Sequence, residues 1–179
     1  MDDLIRELNI PLIEMVASAI WEKKGFDVRA YDVRGILDYT DCMVICSGSS
    51  DRQANAIADC VIGEVKQKTG EKPVSSEGLR EGRWALIDFS DVVVHVFHQP
   101  VRDYYELDRL YADAPQVPLT APEWAENGDS RWATAGDWSD HKVAVGHDVG
   151  HGGAAEIAPE VASEIARDIS PEIAEQHGS

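Results

Sequence analysis

The sequence predicts an α/β domain over residues 1–115, followed by an acidic, mostly disordered tail over 116–179. Three observations carry this expectation. Before Pro115, apolar residues alternate between blocks of helical period and blocks of strand length. After it, Val, Leu, Ile and Phe number only 10 in 64 residues, below the share that supports a core. The charge also divides there. Residues 1–115 carry 13 basic and 21 acidic side chains, and residues 116–179 carry 3 basic and 12 acidic ones. Low hydrophobicity with high net charge leaves too little burial to offset chain entropy.

In the domain, Leu12, Ile13, Val16, Ala17 and Ile20 make one helical stripe. Pro11 suits the first turn of that helix, and Lys23-Lys24-Gly25 closes it. A short strand is expected over Val28 to Val33. A second, Cys42 to Ser47, is nearly all apolar and so reads as central. Ser50-Asp51-Arg52-Gln53 fits a capping box, with the Ser50 hydroxyl on the Gln53 amide and the Gln53 side chain reaching back. Ala54, Ile57, Ala58, Val61 and Val65 form the buried stripe of the helix it opens, which Gly70 ends. A strand near Pro73 to Ser76 precedes two clear ones, Trp84 to Phe89 and Val92 to Phe97. Pro100 then opens a last helix, with Val101, Tyr104, Leu107 and Tyr111 along one side.

The 179 residues carry a formal net charge of −17. Gripping naked nucleic acid through a basic face is disfavoured, because phosphate affinity comes from Lys and Arg. An acidic chain more naturally meets a basic protein surface. There is no long apolar run, and the start, Met1-Asp2-Asp3, is not a secretory leader. Three cysteines suit a reducing cytoplasm better than a disulfide framework. The tail repeats Glu-Ile-Ala at 156–158, 164–166 and 172–174, which places Ile157, Val161, Ile165, Ile169 and Ile173 near one helical face. Pro159 and Pro171 confine any such helix to the part between them.

The hairpin is the most informative stretch. With Ser90-Asp91 as a two-residue turn, Phe89 faces Val92, Ile87 faces Val94 and Ala85 faces Val96. All six are apolar, so this face lies on the core. The opposite face pairs Trp84 with Phe97, Leu86 with His95 and Asp88 with Val93. A partner surface uses such a mixture, since aromatic side chains combine contact area with a polar handle. The other reading is that the helix from Pro100 covers part of this face and hydrogen-bonds His95.

The run from Asp32-Val33-Arg34-Gly35 through Asp41-Cys42-Met43-Val44-Ile45-Cys46-Ser47-Gly48-Ser49-Ser50-Asp51-Arg52-Gln53 resembles the ribosomal silencing factor, or Iojap, family. The likeness continues through Glu77-Gly78, Gly82-Arg83-Trp84, Asp88, Asp91 to Phe97, Arg102, Tyr104-Tyr105, Leu107, Arg109-Leu110 and Asp113-Ala114. It implies a mixed β-sheet with flanking helices and a nucleotidyltransferase-like shape. It also implies a translational repressor that binds the large ribosomal subunit through ribosomal protein fourteen. The bound factor blocks small-subunit joining when nutrients are scarce. Carried over residue by residue, the implied contacts are Trp84, Leu86, Asp91, His95, Phe97, Tyr104 and Tyr105. No catalysis, cofactor or metal is expected, nor a membrane or sequence-specific nucleic-acid contact, and a homodimer is allowed. Two positions depart from the family pattern. Ser90 stands where Gly is usual, and Tyr111 stands where Trp is common. Ser tolerates a positive-φ turn less well than Gly.

Other constellations have bland readings beside the sharp ones. Gly48-Ser49 at a strand-to-helix turn, with Asp88 and Asp91, is the alternative site of a nucleotidyltransferase-like enzyme. The simpler reading of that turn is a helix cap. Cys42 and Cys46 share a strand face and read as small buried hydrophobes rather than metal ligands. His141, His147 and His151 imply no fixed metal geometry. Trp124, Trp132 and Trp138 are either a linear contact for a second partner or packing against the domain.

Overall fold

The structure, a computed structural model, describes residues 7–126. The chain runs α1 (Ile10–Glu22), β1 (Phe26–Asp32), β2 (Cys42–Gly48), α2 (Asp51–Thr69), β3 (Ser75–Glu77), β4 (Trp84–Asp88), β5 (Val92–His98), α3 (Gln99–Tyr105), α4 (Leu107–Leu110) and α5 (Glu123–Glu126). One five-stranded sheet has the order β1-β2-β5-β4-β3. Strands β2 and β5 are parallel and the other pairs antiparallel, so the sheet is mixed, with flanking helices. The nearly all-apolar β2 is buried along its whole length, as a strand with neighbours on both sides must be.

Helices α1 and α2 cover one sheet face. Their predicted stripes, from Leu12 to Ile20 and from Ala54 to Val65, join Ala30, Cys42, Val44, Cys46, Ala85, Ile87, Val94 and Val96 in the core. The hairpin register matches the parity argument: Trp84 pairs with Phe97, Leu86 with His95 and Ile87 with Val94. Cys42 and Cys46 are buried, and burial pushes both thiols up to about 12.

Local caps follow the sequence with small shifts. The Ser50 hydroxyl accepts from Gln53 N at 3.1 Å. The Gln53 side chain reaches back one residue further than a capping box requires, and accepts from Ser49 N at 2.7 Å. At the end of α1 the left-handed residue is Lys24 (φ 60°), not Gly25. Gly25 is needed for space, since a Cβ there would lie 2.4 Å from Ile20 Cγ2. Ser90 does adopt positive φ (73°), and Asp91 N bonds back to Phe89 O across it. The departure from Gly therefore sits on strained backbone.

The last helix is broken. Glu106 takes a left-handed conformation (φ 48°), which ends α3 and starts α4 in a new phase. The predicted stripe splits as a result: Leu107 and Tyr111 are buried, while Tyr104 is 64 % exposed and Arg102 points inward.

The chain stays packed past the compositional break at Pro115. Gln116 bridges Tyr31, Val117 N donates to Ala30 O at 2.8 Å, and Val117 is buried in the core. Thr120 donates through its amide and hydroxyl to the Glu14 carboxylate, at 3.1 and 3.2 Å. Lys24 Nζ lies 4.3 Å from the centre of the Trp124 ring, so Trp124 belongs with the domain. Ending the chain at Pro115 rather than Glu126 is expected to cost about 1–3 kcal/mol through lost Val117 and Leu119 burial and one strand-like hydrogen bond. Urea midpoints of the two truncated chains measure this, and equal midpoints would contradict it. Trp132, Trp138, the tail histidines and the Glu-Ile-Ala repeat lie outside the described residues.

Candidate functional site

The second sheet face carries the hairpin residues in three rows set by strand register. Ser47, Phe97 and Trp84 form one row, Ile45, His95, Leu86 and Glu77 the next, and Met43, Val93, Asp88 and Ser75 the third. The α3–α4 segment packs over the β2–β5 side of this face, with Leu107 and Tyr111 buried and Tyr105 against Trp84. The β3–β4 side is more open. Leu86 and Asp88 are only partly buried, and Ser75 and Glu77 are exposed.

An aromatic series runs from surface to interior. Tyr104 meets Tyr105 edge-on at 5.0 Å, Tyr105 packs on Trp84 at 5.1 Å, and Trp84 stacks on Phe97 at 4.8 Å. Trp84 Nε1 donates to His95 Nδ1 at 3.0 Å. The alternative reading, a hydrogen bond between His95 and the last helix, is therefore corrected: the partner is Trp84, its diagonal neighbour on the hairpin. Accepting at Nδ1 places the neutral imidazole's proton on Nε2. Nε2 has no hydrogen-bond partner among the described residues.

Burial pushes the His95 imidazole down to about 3, with the Asp108 charge opposing. The unfolded chain therefore takes up a proton near pH 6.5 that the folded chain refuses until about pH 3. The stability that depends on neutral His95 is full above pH 6.5 and falls as the medium acidifies, with a limiting slope of about 1.4 kcal/mol per pH unit. Chemical denaturation between pH 7 and 4.5 is expected to reveal this slope in the wild type. His95→Gln, which keeps an acceptor for Trp84, should flatten it. Identical slopes in the two proteins would refute the assignment.

Of the seven predicted contacts, Trp84, His95 and Phe97 lie beneath the surface. They form the floor on which Tyr105 and Tyr104 rest. Leu86 and Tyr105 are partly accessible. Asp91 stands apart, at the turn: its carbonyl accepts from Asp41 N and Cys42 N, at the opposite end of β5 from His98. Its carboxylate accepts from Asn9 Nδ2 at 3.5 Å.

The enzymatic alternative is not assembled. Ser49 follows the end of β2 that is level with His98, while Asp91 is level with the start of β2, six residues or roughly 20 Å away. Ser49 N and Oγ both donate to Gln53 Oε1 at 2.7 Å. Asp88 Oδ1 instead caps the turn by accepting from Ser90 N at 2.7 Å. Among the described residues, no three His, Cys, Asp or Glu side chains are grouped to hold a metal ion.

Two features escaped the sequence reading. Strand β3 extends to Glu77, which places that carboxylate directly across from Leu86, with Asp88 on the same face. The strand expected near Pro73 to Ser76 stops one residue short of Glu77, and so short a strand carries too little alternation to fix its face. The second is Arg102, buried at the α3–α4 corner. Arg102 stands in the family likeness, but neither that nor the helical stripe gave it a role.

The family described as ribosomal silencing factor during starvation matches residues 7–143. A ribosomal silencing factor of Halalkalibacterium halodurans is 41 % identical over 111 residues, covering 62 % of this chain and 94 % of that protein. The mouse protein named mitochondrial assembly of ribosomal large subunit protein 1 is 31 % identical over 101 residues, covering 55 % of this chain and 44 % of its own. A crystal structure of a Chromobacterium violaceum protein superposes with a TM-score of 0.57 at 33 % identity, covering 65 % of this chain and 93 % of that one. No helix among the described residues is long and apolar enough to cross a membrane.

Proposed function

Because this chain belongs to the ribosomal silencing factor family, whose members regulate translation at the ribosome, we propose that it binds the large subunit through ribosomal protein fourteen. Occupancy of that surface excludes the small subunit, so the effect is steric and needs no catalysis. The bacterial relative is named as a ribosomal silencing factor and the mouse relative for assembly of the ribosomal large subunit, neither for a reaction. Repression when nutrients are scarce follows the family's description.

The observation that supports this reading best is the open β3–β4 side of the second face. Leu86 lies between the carboxylates of Glu77 and Asp88, and the exposed Tyr104 ring flanks the aromatic floor. Apolar contact at the centre with an acidic rim suits a basic protein surface. The same carboxylates repel nearby phosphate, which biases the contact toward protein rather than RNA. Leu86, Tyr104 and Tyr105 supply contact area in this reading. Trp84, His95 and Phe97 hold them in place, and Asp91 meets the partner's far edge.

Co-sedimentation of the full chain with purified large subunits tests the proposal. The wild type is expected to bind. A Leu86→Ala, Tyr104→Ala double variant is expected to bind about 10- to 100-fold more weakly, the scale of losing interface anchors worth roughly 1.4–3 kcal/mol. Tyr104 is mostly exposed, so its loss leaves the fold intact. Undiminished binding by the double variant would sink the assignment of this face.

A further inference from the structure

Arg102 is a buried cation that the docking proposal does not use, with its side chain only 4 % exposed. Four of the five N–H groups of its guanidinium donate hydrogen bonds. Nε and Nη2 form a two-pronged pair with Asp108 at 2.9 Å each. Nη1 donates to Asp27 O at 2.7 Å and to Ser47 Oγ at 2.8 Å. Nη2 also lies 3.5 Å from Asp27 Oδ2. Asp108 in turn accepts from the Tyr31 hydroxyl at 3.0 Å. Burial opposes both charges, yet the Arg102 hydrogen bonds hold the Asp108 carboxyl below the usual carboxylate range.

The placement of this network matters more than its strength. Arg102 stands in the last turn of α3 and Asp108 in the first turn of α4. Their pair closes the corner over Glu106, a non-glycine residue held at positive φ without the usual steric permission. Tyr104 and Tyr105 lie inside the segment so closed. The remaining acceptors, on β1 at Asp27 and at the end of β2 at Ser47, tie the corner to the sheet.

We propose that Arg102 is the positioning residue of the docking face, clamping the α3–α4 corner to β1 and β2 so that Tyr105 lies on Trp84 and Tyr104 is presented to the partner. This rests on the docking reading above. A Lys at this position keeps the charge and the stem. It has three donors on one atom and cannot reproduce the planar fork.

The test uses full-length Arg102→Lys and Asp108→Asn beside the wild type. Amide exchange is followed along the chain, and large-subunit affinity is measured well below the melting temperature. In both variants, exchange over 99–111 is expected to quicken at least tenfold while β2 and β5 stay protected, and affinity is expected to fall at least tenfold. A role confined to global stability would quicken exchange everywhere and leave low-temperature affinity alone. Wild-type affinity in variants with a loosened corner would overturn the proposal, and so would unchanged exchange over 99–111. Should both variants fail to fold, Ser47→Ala removes one acceptor and leaves the ion pair. About a threefold change in local exchange and affinity is then expected, and no change in either would overturn the clamp. Failure of the wild type itself to bind would bring down the docking reading and this inference together. The unmutated control separates that outcome from failure of the clamp alone.

Discussion

Replacing Trp84 by alanine is expected to lower the stability of the folded domain by about 3–5 kcal/mol, the range for losing a large buried aromatic side chain. The ring fills the space between His95, Phe97 and Tyr105, with centroids 4.8 to 5.8 Å away. Its removal also strips His95 Nδ1 of its hydrogen bond inside a site closed to water, which pushes the cost toward the upper end. Domains of this size hold about 5–15 kcal/mol in total, so the variant retains a reduced margin. Trp84→Phe should recover part of the loss, because it restores one aromatic ring while lacking the second ring and the donor of the indole. Urea denaturation of the three proteins measures the series. A Trp84→Ala loss below about 1 kcal/mol would mean that the ring is not interior. Loss of ribosome binding in Trp84→Ala would report on folding as well as contact, so Leu86 and Tyr104 are the cleaner probes of the interface.

Gly78→Ala is expected to cost about 3 kcal/mol or more, from strained backbone and overlap together. Gly78 has φ +70°, and a Cβ there would stand 2.0 Å from the Trp84 carbonyl oxygen. That oxygen belongs to β4 and cannot rotate away. Gly70 supplies the control: its φ is +76°, yet nothing lies within 4 Å of its would-be Cβ. Gly70→Ala should therefore cost only the conformational part, about 1–2 kcal/mol. The difference between the two variants isolates the close approach that holds β3 against β4 beneath Leu86. Equal losses would place the whole effect in the backbone conformation.

The parts of this fold that were legible in the sequence are those set by local period. Alternation along Trp84–Asp88 and Val92–His98 specified the hairpin register, because a slip of one residue would have exposed the apolar face. The stripes of α1 and α2 were equally plain. The α3–α4 corner was not, since Glu106 carries none of the Gly, Asn or Pro signals that mark a left-handed residue. Reading one continuous helix put Tyr104 on the stripe with Leu107 and Tyr111, whereas the break turned it outward and Arg102 inward.

The candidate site was legible as a face but not in depth. Parity separated Trp84, Leu86, His95 and Phe97 from the core side. Which of them α3 and α4 cover depends on long-range packing that no local pattern encodes. The packed segment just past Pro115 is hard to read for a related reason. Composition changes at Pro115, but Val117 and Leu119 are only two apolar residues in a polar stretch, and the burial of Val117 follows from the β1 edge it meets while Leu119 packs against the core.

The most direct test of the central claim is to map the large-subunit surface that the full chain protects from chemical modification. The predicted result is a footprint centred on protein fourteen, lost in the Leu86→Ala, Tyr104→Ala variant and accompanied by exclusion of the small subunit. A footprint elsewhere on the large subunit, or one that leaves small-subunit joining unimpeded, would contradict it.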